Sequence, residues 1–323
     1  MRRRQFISGT LAASAAGLTA SYWTTIEAHA RKLAKDTPLA RRPYKDGIKL
    51  SIIGCGGIVL VGQEQEAANT EVAESIDRGV NYFDVAPSYG KGEAERKLGP
   101  ALKPYRDNVF LAEKTGKRDA ESARLELEKS LKTLQTDHFD LYQFHAVTSL
   151  EQVEQILRPG GAMETFVKAR EQGKIRYIGF SAHHQEAAIK LLDSFAFDSV
   201  LFPINYVCFA QGNFGPGLLA KAKEKKVPVL ALKVLAFTPW AGKQDRQGTS
   251  SPKCWYRPIH NYEQARSALR FALSEEITAA IPPGDERIYR LTLDIAAEFK
   301  RLSSAERKRL LASADSVKPI FSA

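Results

Sequence analysis

The sequence predicts an α/β protein built as a single (β/α)8 barrel, the TIM barrel fold. Eight short apolar stretches alternate with eight stretches of helical periodicity, a rhythm typical of parallel sheets. The first stretch ends in Gly54-Cys55-Gly56-Gly57, which lacks the GxGxxG turn expected of an open dinucleotide-binding sheet. With residues 1–30 set aside as a signal segment, 31–323 are enough for one barrel of about 250 residues. No linker-like tract divides them, so we expect one domain.

The first half of the barrel is predicted from four apolar runs and the helical patterns between them. Leu127, Leu131 and Leu134, for example, recur at helical spacing in the third helix. The predicted strands are 50–54, 81–85, 109–112 and 139–144. The predicted helices are 66–78, 93–102 and 120–134, followed by a longer segment that ends at 172.

The second half repeats the alternation after a break at Gly173-Lys174. Its predicted strands are 175–180, 199–204, 227–235 and 277–281. Its predicted helices are 185–192, 218–226, 262–273 and 286–300. We expect residues 31–46 to be an irregular lead-in and residues 301–323 to be a surface helix with a tail.

The N-terminus has the pattern of an export signal. Arg3 and Arg4 precede Phe6 and an uncharged run over 8–22, and Ala28-His29-Ala30 offers small residues where a signal peptidase reads. Residues 1–30 therefore resemble a signal for the twin-arginine machinery, which exports folded proteins. We expect an exported, periplasmic protein, or a cytoplasmic one if the signal is not used; a basic tail or an uncleaved interfacial anchor are the alternatives. The uncharged run is too short and polar for an integral membrane span.

Charge and cysteine content exclude several classes of function. The chain has 47 Lys+Arg against 37 Asp+Glu, a net charge of +10. The basic residues are interleaved with acidic ones, as in 221–226, and no nucleic-acid-binding motif is present, so we expect no nucleic acid partner. The three cysteines have no CxxC or zinc spacing, and we expect no metal site; one disulfide at most could form.

Four polar residues, Asp84, Tyr89, Lys114 and His145, lie at or just beyond the C-terminal ends of three consecutive predicted strands. In a barrel these ends converge on the catalytic face. A phenol has a pKa near 10, and a neighbouring ammonium stabilises its phenolate. Lys114 would supply that charge, Asp84 would hold Lys114 in place, and His145 would orient a substrate carbonyl. Singly, each residue has an ordinary structural explanation, but together they predict a proton-donating redox site.

Four segments carry a resemblance to a known family. They are GVNYFDVAPSYG at 79–90, VFLAEK at 109–114, FDLYQFH at 139–145 and IRYIGFS at 175–181. In this order and spacing they make the chain similar to the aldo-keto reductase family over nearly all of 31–323. The resemblance implies a barrel that binds NADP(H) without a Rossmann domain. It also implies an oxidoreductase that interconverts an aldehyde or ketone and an alcohol, with Tyr89 as general acid and base.

The same resemblance suggests where the cofactor binds. Ser181 would bind the nicotinamide carboxamide. The chain departs from the family pattern at Ala182, where the family usually has Asn, at Leu201 in place of Gln, and at Leu232 in place of an aromatic residue. NADP(H) is the expected cofactor, with NAD(H) as the alternative. Further candidates for cofactor contact are Lys233, Gly284, Arg287 and Arg290.

The substrate is expected to be a small carbonyl compound or alcohol. Residues 236–261 are long for a strand-helix loop and contain Trp240 and Trp255, so they could fold over the barrel rim as a lid. His183 follows the fifth predicted strand and is also a substrate-contact candidate.

Two other functions stay open. The departures at Ala182, Leu201 and Leu232 are also compatible with a non-catalytic nucleotide-binding sensor or subunit. His145, His183 and His184 could instead suggest a metal-dependent hydrolase, although the first strand ends without His-x-His and no acidic ligand cluster is evident.

Overall fold

The structure is a computed structural model that describes residues 38–323. The predicted signal segment, residues 1–30, lies outside the described residues. The strands are β1 (Arg41–Pro43), β2 (Lys49–Ser51), β3 (Cys55–Gly56), β4 (Tyr82–Asp84), β5 (Phe110–Thr115), β6 (Phe139–Val147), β7 (Ile175–Ala182), β8 (Ser199–Pro203), β9 (Val229–Leu232), β10 (Ala236–Pro239), β11 (Tyr256–Pro258) and β12 (Ala279–Ile281).

Strands β3 to β9 and β12 form one eight-stranded parallel sheet in chain order. The circle closes between the first and last of these strands. There the Gly54 N–H donates to the Ala280 carbonyl and the Ala280 N–H donates to the Ile52 carbonyl, each at 2.9 Å. The predicted (β/α)8 barrel is confirmed.

Helices surround the barrel and connect its strands. They are α1 (Gln65–Asp77), α2 (Glu93–Leu102), α3 (Ala120–Thr133), α4 (Leu150–Leu157), α5 (Ala162–Glu171), α6 (Gln185–Ser194), α7 (Tyr206–Gly212), α8 (Pro216–Lys225), α9 (Lys243–Gln247), α10 (Tyr262–Ser274), α11 (Glu286–Ala297) and α12 (Ser304–Ala312). Several begin at a polar side chain that accepts from free N–H groups of the first turn, which stabilises a helix start. Asp285 accepts in this way from Arg287 and Ile288 at the start of α11. No helix within residues 38–323 has the length and apolar character needed to cross a bilayer.

The strands place alternate residues inside and outside the barrel. In β5, Phe110 and Ala112 belong to the inner cluster, whereas Leu111 packs outward against the helices. At the end where the strands begin, the Tyr44 ring closes the barrel by packing on Phe110 at 5.0 Å and Tyr177 at 5.4 Å between ring centroids. Asp84, Lys114 and His145 lie toward the opposite end, where the strands finish.

Several predicted boundaries were wrong. The first barrel strand is Cys55–Gly56 rather than 50–54, because Lys49–Ser51 pairs antiparallel with Arg41–Pro43. That hairpin also replaces part of the expected irregular lead-in. The seventh predicted strand, 227–235, is only Val229–Leu232, and the long segment that ends at 172 consists of two helices. Ile52, Ile53, Val234 and Leu235 are buried in the loops that flank the strands, and apolar patterning alone cannot distinguish such loop residues from strand residues.

Candidate active site

A buried ion pair lies at the carboxyl end of the barrel. Lys114 Nζ donates to Asp84 Oδ1, and it donates to the Val85 carbonyl at 2.9 Å. Lys114 is 0% and Asp84 1% exposed. Tyr82 also donates to Asp84, at 3.3 Å. Burial lowers the pKa of Lys114, but the charge and hydrogen bond of Asp84, together with the charges of Tyr89 and Glu113, oppose burial and raise that pKa overall, so the amine is held as an ammonium.

The phenol of Tyr89 lies beside this ammonium. Tyr89 begins a tight turn beyond β4, and its ring centroid is 5.0 Å from Lys114 Nζ. Burial raises the pKa of the Tyr89 phenol, and the charge and hydrogen bonding of Lys114 oppose that rise. At neutral pH the phenol therefore carries its proton, and the ammonium is in place to stabilise the phenolate left when the proton departs.

His145 faces Tyr89 from β6. The two rings meet edge to face at 5.6 Å between centroids, and His145 Nδ1 lies 3.4 Å from the Ser88 hydroxyl. Burial, followed by the positive charges of Lys114, Lys233 and Arg118, lowers the pKa of His145 to about 3. The imidazole is therefore neutral at physiological pH and can donate one hydrogen bond to an oxygen of a ligand.

Lys233 belongs to the same cavity. Its Nζ lies 3.1 Å from His183 Nε2. Burial and the charge of Lys114 lower the pKa of Lys233 to about 7, and burial together with the Lys233 charge lowers the pKa of His183 to about 2. Arg287 and Arg290 line a different cleft, between α1 and α11. The structure thus places Lys233 with the catalytic candidates rather than with the two arginines.

The residues at the rim fit the nicotinamide end of a dinucleotide. The Ser181 hydroxyl accepts from the Ala146 N–H at 2.7 Å and keeps its own hydrogen to donate. Leu201, Leu232 and Ile281 add apolar walls to the cavity next to Tyr89. The apolar walls suit the face of a flat ring, and Ser181 lies near the end of β7, outside the lining of this cavity.

The cavity is narrow, because the segment between β10 and β11 closes over it. Its volume is about 90 Å³, whereas small-molecule pockets usually measure about 300–1,000 Å³. Ser251 Oγ donates to Asp285 at 2.8 Å, and Lys253 donates to Glu286 at 2.6 Å and to the Val59 carbonyl at 3.0 Å. Two of these bonds tie the segment to the start of α11, and the third ties it to the turn at Gly57–Leu60.

The remaining cofactor candidates lie just before α11 or within it. Gly284 packs so closely on Ile58 that an added Cβ would lie 2.2 Å from Ile58 Cγ2. Arg287 pairs with Asp285 at 3.2 Å, and Arg290 pairs with Glu71 at 2.8 Å. Both arginine side chains are more than half exposed, at 65% and 54%.

The two tryptophans of the predicted lid have different positions. Trp255 lines the cavity and is 46% exposed. Trp240 instead donates its indole N–H to the Cys254 carbonyl at 2.8 Å and lies outside the cavity lining, where it braces the segment. The segment contains an antiparallel pair, β10 with β11, and the short helix α9.

The histidines do not assemble a metal centre. His183 contacts the Lys233 amine, and His184 Nδ1 accepts from the Ala187 N–H to cap α6. Within residues 38–323, no group of three or more His, Cys, Asp or Glu side chains is arranged to hold a metal ion. The three cysteines of the chain are buried and free.

Comparison with known proteins decides the family. The model of the aldo/keto reductase family matches residues 53–310. The chain belongs to the aldo/keto reductase family. It is 32% identical to the aldo-keto reductase YhdN of Bacillus subtilis (strain 168) over 222 residues, which cover 63% of this chain and 64% of YhdN, less than two thirds of that relative.

Other relatives of this aldo/keto reductase match over more of their length. The methylglyoxal reductase YeaE of Escherichia coli (strain K12) is 29% identical, with 81% of this chain and 90% of YeaE covered. The L-galactose dehydrogenase of Arabidopsis thaliana is 28% identical, with 80% of each chain covered. The solved structure of the aldo-keto reductase AKR11C1 from Bacillus halodurans, 22% identical, has a TM-score of 0.67 and covers 87% of this chain and 98% of that one, which supports the fold.

Sequence reasoning missed two parts of the site of this aldo/keto reductase. The first is Tyr82, which donates the second hydrogen bond to Asp84 from an apolar-looking strand. The second is the C-terminal tail: Phe321 stacks on His183 at 5.1 Å and on Phe214 at 5.2 Å, and the Ala323 N–H donates to the Gly212 carbonyl at 2.8 Å. The apolar pair Ile320-Phe321 at the end of a polar tail was the one available signal.

Proposed function

We propose that this aldo/keto reductase interconverts an aldehyde or ketone and an alcohol with a nicotinamide dinucleotide, with Tyr89 as general acid and base. The observation that carries the proposal is the buried Lys114–Asp84 pair beside the Tyr89 ring. Two relatives are named for this type of chemistry, a methylglyoxal reductase and an L-galactose dehydrogenase. That the protein is an oxidoreductase follows from its membership of the aldo/keto reductase family.

In the direction of reduction, the chain would supply the proton and a bound dinucleotide would supply the hydride. The Tyr89 hydroxyl donates its proton to the carbonyl oxygen, and the Lys114 ammonium stabilises the resulting phenolate. Asp84 keeps Lys114 protonated and fixed. The neutral His145 donates a hydrogen bond to the same carbonyl oxygen, which directs that oxygen toward Tyr89. In alcohol oxidation the phenolate takes the proton back.

We propose NADP(H) as the preferred dinucleotide. Ser181 would donate to its carboxamide, and Leu201 and Leu232 would contact its ring. Arg287 is exposed at the start of α11, where the helix dipole also favours an anion such as the 2′-phosphate. Calorimetric titration should show tighter binding of NADPH than of NADH, and Arg287→Gln should reduce the difference. Tighter binding of NADH would overturn this choice.

The experiment that tests the activity is turnover on a broad panel of aldehydes and ketones, together with dinucleotide affinity measured by calorimetry. We expect both binding and dinucleotide oxidation that depends on the carbonyl substrate. Binding without turnover on any carbonyl would favour the alternative of a non-catalytic sensor, to which the apolar residues Ala182, Leu201 and Leu232 point.

We also propose that the protein is exported in folded form through the twin-arginine machinery and resides in the periplasm. The support is the sequence of residues 1–30, with Arg3, Arg4 and the Ala28-His29-Ala30 segment. Cell fractionation should find the protein in the periplasm, and Arg3→Lys combined with Arg4→Lys should retain it inside the cell. Equal distribution of both forms would refute export by this route.

A further inference from the structure

The cavity beside Tyr89 is lined by three charged side chains, Asp84, Lys233 and Lys253. Asp84 is matched by Lys114, and Lys253 is matched by Glu286. No carboxylate within the described chain, residues 38–323, forms an ion pair with Lys233, whose Nζ contacts the His183 ring instead. The cavity therefore carries one cation that lacks a counter-charge.

The protein holds this cation firmly in place. Lys233 adopts a left-handed backbone conformation, with φ of 59°, directly after β9. Its Nζ donates to His183 Nε2 and lies 5.6 Å from the centroid of the Trp255 ring and 6.0 Å from that of Phe321. A lysine head between aromatic faces is stabilised by cation–π attraction, but this does not neutralise its charge.

We propose that Lys233 is the anion-binding residue of the substrate pocket, and that the carbonyl substrate carries a carboxylate that the Lys233 ammonium binds. The inference rests on the proposed carbonyl chemistry, since Lys233 and Tyr89 line one cavity. A carboxylate there would supply the missing counter-charge, while the reacting carbonyl meets Tyr89 and His145. The diphosphate of the dinucleotide has the same anionic oxygen chemistry, so the experiment separates the two sources.

The charges around Lys233 make the effect depend on pH. Burial and the Lys114 ammonium lower the pKa of Lys233 to about 7, while the Asp84 carboxylate and the Cys208 thiol oppose the shift. His183 stays neutral, because burial lowers its pKa to about 2. The ammonium is therefore the main form only below about pH 7, and the preference for an anionic substrate should fall as the pH rises through that value.

The test compares small oxo acids with their uncharged esters. Glyoxylate, pyruvate and succinic semialdehyde are each assayed beside the methyl ester, and the ratio of kcat/KM for acid to ester is measured. Variants are Lys233→Met, Lys233→Arg and, as a matched control, Lys223→Met, which removes a remote exposed lysine that pairs with Glu276. Dinucleotide affinity is measured by calorimetry for every variant.

We expect the wild type to favour at least one acid over its ester by about 10–100-fold, the ordinary contribution of a charged hydrogen bond. Lys233→Met should abolish that preference, whereas Lys233→Arg and Lys223→Met should keep it. An unchanged ratio in Lys233→Met would overturn the proposal. If Lys233→Met also weakened dinucleotide binding while leaving the ratio unchanged, Lys233 would instead be assigned to the diphosphate of the dinucleotide. Absence of turnover on every carbonyl would refute the proposed function, whereas turnover without preference for the acids would refute this inference alone.

Discussion

Replacing Lys114 by Met tests the buried pair through stability and activity at once. The substitution removes an ammonium that is 0% exposed and leaves the Asp84 carboxyl, 1% exposed, with the Tyr82 hydroxyl as its side-chain donor. Breaking a buried ion pair in this way costs about 3–5 kcal/mol of unfolding free energy. In Lys114→Met combined with Asp84→Asn, the buried charge is gone, so more than half of that loss should return.

Urea unfolding of the wild type, Asp84→Asn, Lys114→Met and the double variant gives the four free energies. Burial already raises the pKa of Asp84 in the wild type, where the charge and hydrogen bond of Lys114 oppose that rise, and removing Lys114 should raise it further above the unfolded value. The single variant should therefore lose stability as the pH rises above about 4, the ordinary pKa of an aspartate, while the double variant should not. Carbonyl turnover should be lost in Lys114→Met and should not return in the double variant, because the phenolate of Tyr89 lacks the Lys114 cation in both. A double variant no more stable than Lys114→Met would refute the reasoning, and so would near-normal turnover in either.

Two further predictions concern neighbours of the site. Gly284→Ala should destabilise the protein by about 1–3 kcal/mol through overpacking, since its Cβ would lie 2.2 Å from Ile58 Cγ2. Urea unfolding should show a smaller loss of stability when the same substitution is made in an Ile58→Ala background. An equal loss in that background would contradict the assigned clash. Burial lowers the pKa of His183 to about 2 in the folded protein. As the pH falls below about 6.5, the unfolded chain therefore binds a proton at His183 before the folded protein does. The free energy of unfolding should decrease over that range by up to ~1.4 kcal/mol per pH unit. His183→Gln should show a smaller loss between pH 6.5 and 4.5 in the same assay, and equal losses would show that His183 does not bind its proton differently in the two states.

The barrel and the central ion pair could be predicted because local signals report them. Each strand is a short apolar run followed by a helix start, so Asp84, Lys114 and His145 fall at strand ends wherever the boundaries shift by a residue or two. The register then brings them together, because neighbouring parallel strands finish at one edge. Placing Tyr89 required only the short turn that follows β4.

The parts that were missed depend on contacts between distant residues. The β1–β2 hairpin is set by pairing and by the packing of Tyr44 inside the barrel, which no local pattern encodes. Phe321 reaches His183 from the far end of the chain. Lys233 was grouped with Arg287 as a source of positive charge, but its position after β9 places it in the cavity that Tyr89 also lines. Charge alone could not tell these two sites apart.

The central claim is that Tyr89 donates the proton in carbonyl reduction. The most direct measurement is kcat of Tyr89→Phe at saturating dinucleotide and carbonyl, with Tyr105→Phe, a half-buried tyrosine remote from the cavity, as the matched control. General acid catalysis contributes about 10²–10⁴-fold, so we expect a loss of that size in Tyr89→Phe alone, with dinucleotide affinity preserved. A Tyr89→Phe protein that turns over carbonyls as fast as Tyr105→Phe would contradict the account.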